Sequence, residues 1–264
     1  MTKENDSVLI ERDGNLAIVT INRPQARNAV NSATAQQLAQ AFEAFDRDDS
    51  LRVAILTGSG NTFCAGFDLK EVATGEGRQL KENETRGPMG PTWMFLSKPV
   101  LAAVEGYAVA GGFELALWCD LRIAARDAIF GVFNRRFGVP LIDLGTVRLP
   151  RLIGQSHALD LILTGRGVSG EEALRMGVAN RLVEPGKALE ASLRLAYTLA
   201  EFPQQGLQGD RMSAYEQWPL SWKDACHNEL RHGLAALNSG EAVSGASRFA
   251  SGAGRHGQFS EEKS

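Results

Sequence analysis

An acid inside an apolar run is the first sign of chemistry in this chain. Glu114 stands in "GGFELALW", where a carboxylate is costly unless it is hydrogen-bonded or put to use. Burial there disfavours the charged form, raises the pKa and suits the group to general acid/base work. The plainer alternative is a Glu in the first turn of a helix, favoured by the helix dipole. Just before it, the small-residue turn "AVAGG" follows the apolar run "VLAAVEG", and a second turn of the same design, "FCAGFDLKE", follows "VAILTG". Small residues let the backbone approach a ligand closely, and a helix start leaves unpaired N–H groups pointing outward. Two such groups converging on one point would stabilise charge on a carbonyl oxygen, as an oxyanion hole does. Either turn alone reads equally well as a tight turn with a helix cap.

A second polar cluster lies in "FGVFNRRFGVP", Phe130 to Pro140. Asn134 can orient water or substrate by hydrogen bonds but transfers no proton at neutral pH. Arg135 and Arg136 have three readings: solvated or interfacial groups, partners of Glu114 or Asp143, or contacts for a substrate carboxylate. Pairing with an acid would lower that acid's pKa and argue against its acting as a proton donor. Asp143, in "GVPLIDLG", is either a further site acid or the N-cap of a helix. The four histidines, at 157, 227, 232 and 256, show no metal-ligand spacing with a convincing third ligand. Cys64 reads as a small buried filler, since no His partner is evident.

The elements that must position these groups alternate along the chain. Val8–Arg12 and Leu16–Ile21 form a β-rich pair around Asp13-Gly14, the signature of a hairpin. Ser32 to Phe45 has a helical apolar side, Leu51 to Gly58 is a buried strand, and "KPVLAAVEG" is another. "LRIAA", "DAIFG" and "VANRLVE" are short strands; helices are expected at His157–Leu163, Gly170–Met176, Gly186–Ala200 and Trp222–Asn238. "LGTVRLPRLIG" is a possible further helix. Gly75 to Pro91 is polar and Gly-rich, suited to a lid, and the last ten residues are expected to fray. Strand and helix alternate first and helices dominate last, so the expected class is an α/β core with a helical C-terminal part used for assembly.

Bulk properties narrow the function. The 264 residues lie at the upper edge of what one core serves, and the 44% hydrophobic content permits that core. A net charge of −3, from 31 acids against 28 bases, gives no reason to expect nucleic-acid binding. Three scattered cysteines describe no disulfide framework, and "MTKENDS" resembles no targeting signal. No apolar run approaches a membrane span. A cytoplasmic protein with no membrane or nucleic-acid partner is the resulting expectation.

Taken together, "NRPQARNAVN", "LTGSGNTFCAGFDLKE", "KPVLAAVEGYAVAGGFELALWCDLRIAA", "AIFGVFNRRFGVPLIDLGTVRLPRLIG" and "LTGRGVSGEEALRMGVANRLVE" resemble the crotonase (enoyl-CoA hydratase/isomerase) superfamily. The resemblance runs from Val8 to Glu184. It implies a ClpP-like α/β fold of repeated ββα units over residues 1–200. A helical region over 201–264 would serve oligomerisation, as a homotrimer or hexamer, and site closure. It implies an acyl-CoA thioester substrate, with coenzyme A carried as part of the substrate and no other cofactor. By the same resemblance, the N–H groups of Phe67 and Gly111 form the oxyanion hole. Ala65, Phe67, Asp68, Leu69 and Lys70, with Arg27, border the coenzyme A. Glu114 matches one of the two catalytic glutamates of the hydratases, while Asn134 stands where they carry the second. Asp143 lies close to an acid used by some isomerases and dehalogenases, one position away on a gapless count. Glu114, Asn134 and Asp143 are therefore the candidate catalytic residues. Hydration with one Glu as main acid/base is the leading reading. Double-bond isomerisation and non-catalytic acyl-CoA binding are the alternatives.

Overall fold

A hairpin opens the chain. In the computed structural model, which describes residues 6–74 and 85–254, β1 (Val8–Asp13) and β2 (Leu16–Ile21) are antiparallel across the two-residue turn at 14–15. Gly14 takes φ 58° there, as such turns require. Four strands extend β2 in parallel: β3 (Val53–Gly58), β4 (Val100–Val104), β6 (Leu121–Ala125) and β9 (Arg181–Val183), giving the order β1-β2-β3-β4-β6-β9. A second sheet holds β5 (Tyr107–Val109), β7 (Ile129–Gly131) and β8 (Gly167–Ser169) in the order β5-β7-β8. The chain therefore passes from β4 to β5 and again from β6 to β7, one sheet to the other each time.

Both faces of the large sheet are covered, which is why its strands read as unbroken apolar runs. Val53, Ile55, Leu101 and Ala103 pack with Leu195 and Ala196 of α6 (Ala188–Glu201). Their sequence neighbours Ala54, Leu56, Ala102 and Val104 share a core with Phe42 of α1 (Ser32–Arg47) and Phe113 of α3 (Gly111–Trp118). Every residue of α3 after Gly111 is buried, in keeping with its apolar sequence. A short α2 (Leu69–Thr74) leaves the first glycine-bearing turn.

Two helices go beyond the sequence expectations, although "LGTVRLPRLIG" is helical as expected. The helix expected from His157 begins at Gly145: α4 (Gly145–Thr164) contains Pro150 and is kinked at Gly154, φ 78°, so its apolar period is interrupted. After α5 (Gly170–Met176) and α6 comes α7 (Gln204–Glu216), a mostly polar helix with two glycines and only Ser213 buried. It is held from outside itself, because Arg211 and the Tyr215 hydroxyl both donate to Asp120 at 2.8 Å. The helices α8 (Trp222–Asn238) and α9 (Glu241–Ala250) follow. Residues 75–84 of the expected lid and the expected frayed end, 255–264, lie outside the described residues. No helix among the described residues is long and apolar enough to cross a membrane.

Candidate active site

The two glycine-bearing turns lie side by side. Cys64 bridges Ala108 in parallel: its N–H donates to Tyr107 O at 2.9 Å, and its own carbonyl accepts from Val109 N at 3.1 Å. The approach depends on Gly66, φ 101°. A Cβ there would sit 2.8 Å from the Ala110 Cβ and 2.9 Å from the Gly111 nitrogen. Ala110 holds φ 53°, ψ −128°, a conformation that costs a non-glycine residue on the order of 1–3 kcal/mol. Hydrogen bonds account for the N–H groups of Gly66, Asp68, Ala110, Phe113 and Glu114. Among the described residues they provide no acceptor for those of Phe67 and Gly111.

Both of these donors line a cavity of about 470 Å³. Of the residues singled out in the sequence, Ala65, Phe67, Leu69, Gly111, Glu114, Asn134 and Asp143 are brought together there. Arg27, Asp68 and Lys70 are not in its wall: Asp68 is paired with Arg23 at 3.0 Å, and Arg27 and Lys70 are exposed. Much of the remaining wall is apolar, with Val72, Met89, Phe133, Phe137 and Val139.

Glu114 is 2% exposed. Its Oε1 accepts from Asp143 N at 2.9 Å and Gly145 N at 2.8 Å. Gly145 has to be small, since a Cβ there would meet Oε1 at 2.8 Å. Burial, and secondly the nearby Asp143 charge, push the Glu114 carboxyl up to about 8 against the pull of those two N–H bonds. Asp143 is not the helix cap, a place taken by Leu144. While its N–H holds Glu114, its Oδ1 accepts from Met89 N at 2.9 Å and from the Thr92 hydroxyl. Arg148 spans the same junction, donating to the Asp143 and Thr92 carbonyls.

Asn134 closes another side of the cavity. Its Nδ2 donates to Val139 O at 2.8 Å, and Val139 N donates back to the Asn134 carbonyl at 3.2 Å. Its Oδ1 is buried without a partner among the described residues. The two neighbouring arginines serve α4 instead. Arg135 donates to Ile162 O, and Arg136 donates to Gly165 O at 2.8 Å while stacking on Phe133. They cap the carbonyl end of that helix, and neither pairs with Glu114 or Asp143 among the described residues. Cys64 is buried, and burial pushes its thiol up to about 12, as befits a filler.

Sequence reasoning passed over Met89, Thr92 and Gly145. "GPMGPTW" carries Gly and Pro punctuation but nothing that marks Met89, whose sulfur presses to within 2.7 Å of where a Cβ on Gly111 would stand.

The family model described as Enoyl-CoA hydratase/isomerase matches residues 11–214. Carnitinyl-CoA dehydratase of Salmonella arizonae is 36% identical over 252 residues, covering 93% of this chain and 96% of that protein. Enoyl-CoA hydratase EchA19 of Mycobacterium tuberculosis is 35% identical over 246 residues, 92% of each chain. Among solved structures, enoyl-CoA hydratase EchA1 from Mycobacterium marinum has a TM-score of 0.88 at 40% identity, covering 93% of this chain and 96% of its own.

Proposed function

The chain belongs to the enoyl-CoA hydratase/isomerase family and is an enzyme of the crotonase fold; on that premise we propose that it hydrates an enoyl-CoA with Glu114 as its main acid/base. The observation that carries this reading is one cavity holding a buried carboxyl poised near 8 and two main-chain N–H groups without an acceptor among the described residues. The thioester oxygen sits between the N–H groups of Phe67 and Gly111. Ionised Glu114 takes a proton from water as the water oxygen bonds to C3. The electron pair of the double bond moves onto the thioester oxygen, where the two N–H groups stabilise the enolate. Collapse of the enolate carries the Glu114 proton to C2, so one water has added and the carboxylate is restored.

Ala65, Phe67 and Leu69 border the coenzyme A arm at the mouth, with Asp68 fixing the turn. Arg27 and Lys70, both exposed, reach its phosphates. Asn134 orients the reacting groups without proton transfer, and Asp143 keeps Glu114 placed and poised. Coenzyme A enters only as part of the substrate. Residues 201–264 assemble the chain into a homotrimer or hexamer around the 1–200 core. The exposed face of Leu230, Leu234 and Leu237 on α8 supports this.

Glu114→Gln is expected to lower crotonyl-CoA hydration by about 10²–10⁴-fold with little change in KM; an unchanged rate removes Glu114 from its role. The amide at Asn134, which transfers no proton, also favours a second reading, double-bond isomerisation with Glu114 shuttling one proton. Incorporation of solvent deuterium without a hydroxylated product would select it.

A further inference from the structure

The first glycine-bearing turn is tied along one edge to the stretch at 27–30. Ala65 N donates to Arg27 O at 3.1 Å, Val30 N donates to Gly66 O at 2.8 Å, and Asp68 N donates to Val30 O at 2.9 Å. Val30 and Phe67 thus form a parallel bridge, in which Val30 spends both main-chain groups on the two neighbours of Phe67. Main-chain groups alternate sides along an extended chain, so the Phe67 N–H is turned to the opposite edge. That residue lines the cavity.

The stretch reaches the turn through a bend. Arg27 and Asn28 hold φ 52° and 55° in succession, in the left-handed region that residues with side chains seldom enter, asparagine least reluctantly. Two side chains hold this bend. Asn28 is fully buried, accepts from Arg23 N at 2.9 Å, and donates to Ser59 O at 2.9 Å and Thr62 O at 2.6 Å. One main-chain donor and two main-chain acceptors leave its amide a single orientation. Gly58 makes room for it, since a Cβ there would stand 2.6 Å from the Asn28 Nδ2. Arg23 spans the bridge itself, donating to Ala29 O on one side and pairing with Asp68 at 3.0 Å on the other. Neither side chain lines the cavity.

Resting on the reading of the Phe67 N–H as an oxyanion donor, we propose that Asn28 and Arg23 are positioning residues for that donor. They touch no reacting atom. They hold the bend, the bend pins Gly66 and Asp68, and the Phe67 N–H keeps its aim at the thioester oxygen. Aim counts most when charge develops on that oxygen, so loss of the clamp falls on kcat rather than on KM.

The test uses Asn28→Gly, which leaves the left-handed bend accessible and removes only the amide. Arg23→Gln, at the less buried end of the clamp, stands in should the first variant fail to fold. Crotonyl-CoA hydration is expected to fall roughly ten- to a hundredfold in kcat, with KM changed less than about threefold. Leu195→Ala, in the core on the other face of the large sheet, controls for lost stability alone. Butyryl-CoA with an isotope-labelled thioester carbonyl has no double bond to hydrate, and infrared difference spectra of its complex read the donor directly. The carbonyl stretch should lie lower on the parent protein than in free ligand, move back toward the free value in the clamp variants, and stay in place in the control. A stretch that neither clamp variant moves, a shift equalled by Leu195→Ala, or a loss confined to KM would overturn the proposal. A parent complex whose carbonyl matches the free ligand would instead bring down the oxyanion reading, and this inference with it.

Discussion

Glu114 is held by two main-chain N–H groups that favour its charge and by burial and Asp143 that oppose it, and the opposition wins. Because ionised Glu114 is the form that accepts a proton from water, hydration measured as kcat/KM should rise with pH and level off above about 8. A profile flat from pH 6 to 9 would contradict this. Asp143→Asn removes the neighbouring negative charge, so the inflection should move to lower pH in the same assay. Stability carries the opposite signature. A carboxyl raised in the folded state binds more protons there than in the unfolded chain, so stability falls as pH rises from the ordinary Glu range toward 8. Glu114→Gln keeps an acceptor for both N–H groups and abolishes that slope. Its melting temperature should exceed that of the parent by on the order of 5 °C at pH 8 and converge with it near pH 4. Glu114 was legible in the sequence because a carboxylate amid Phe, Leu, Ala and Trp demands an explanation. The role of Asp143 was not, since its partners Met89 and Thr92 lie about fifty residues earlier and no local pattern connects them.

At the scale of elements, the glycines do different work. Gly14 and Gly66 both have positive φ, but a Cβ on Gly14 meets nothing within 4 Å, whereas one on Gly66 strikes the opposite turn. Gly14→Ala should cost about 1 kcal/mol of stability and leave turnover intact. Gly66→Ala should force the two turns apart and lower kcat by on the order of 10²-fold, the loss expected when one oxyanion donor moves away. Steady-state kinetics beside thermal melts separates the two outcomes. The limits of α5 and α8 coincide with those read from sequence, because each has an apolar period and a serine cap, Ser169 or Ser221. The kink in α4 and the polar α7 hid from the same reading. The first is broken by Gly154, and the second is fastened through Asp120, far away in sequence. The arginine pair was legible as unusual but not in its purpose, for the carbonyls it caps belong to a helix whose end lies beyond "FGVFNRRFGVP".

For the molecule as a whole, assembly is the open expectation. The leucine face of α8 recurs at helical spacing and stays exposed in the single chain. Light scattering should give a mass of three or six chains, and Leu234→Glu should reduce it; a monomeric parent would end the proposal. Family membership was legible because its motifs run in order along most of the chain, while the burial of Asn134 against Val139 could emerge only from packing. The three-stranded second sheet carries a last consequence, which concerns folding. Its β5 pairs with β7 and with the stretch at Cys64, and β7 pairs with β8, so the two turns that carry Phe67 and Gly111 meet through pairings about twenty to forty residues apart in sequence. Contacts so distant close late and slowly. The cavity has no nucleus of its own: after dilution from urea, acyl-CoA binding should return with the slowest refolding phase and never ahead of it.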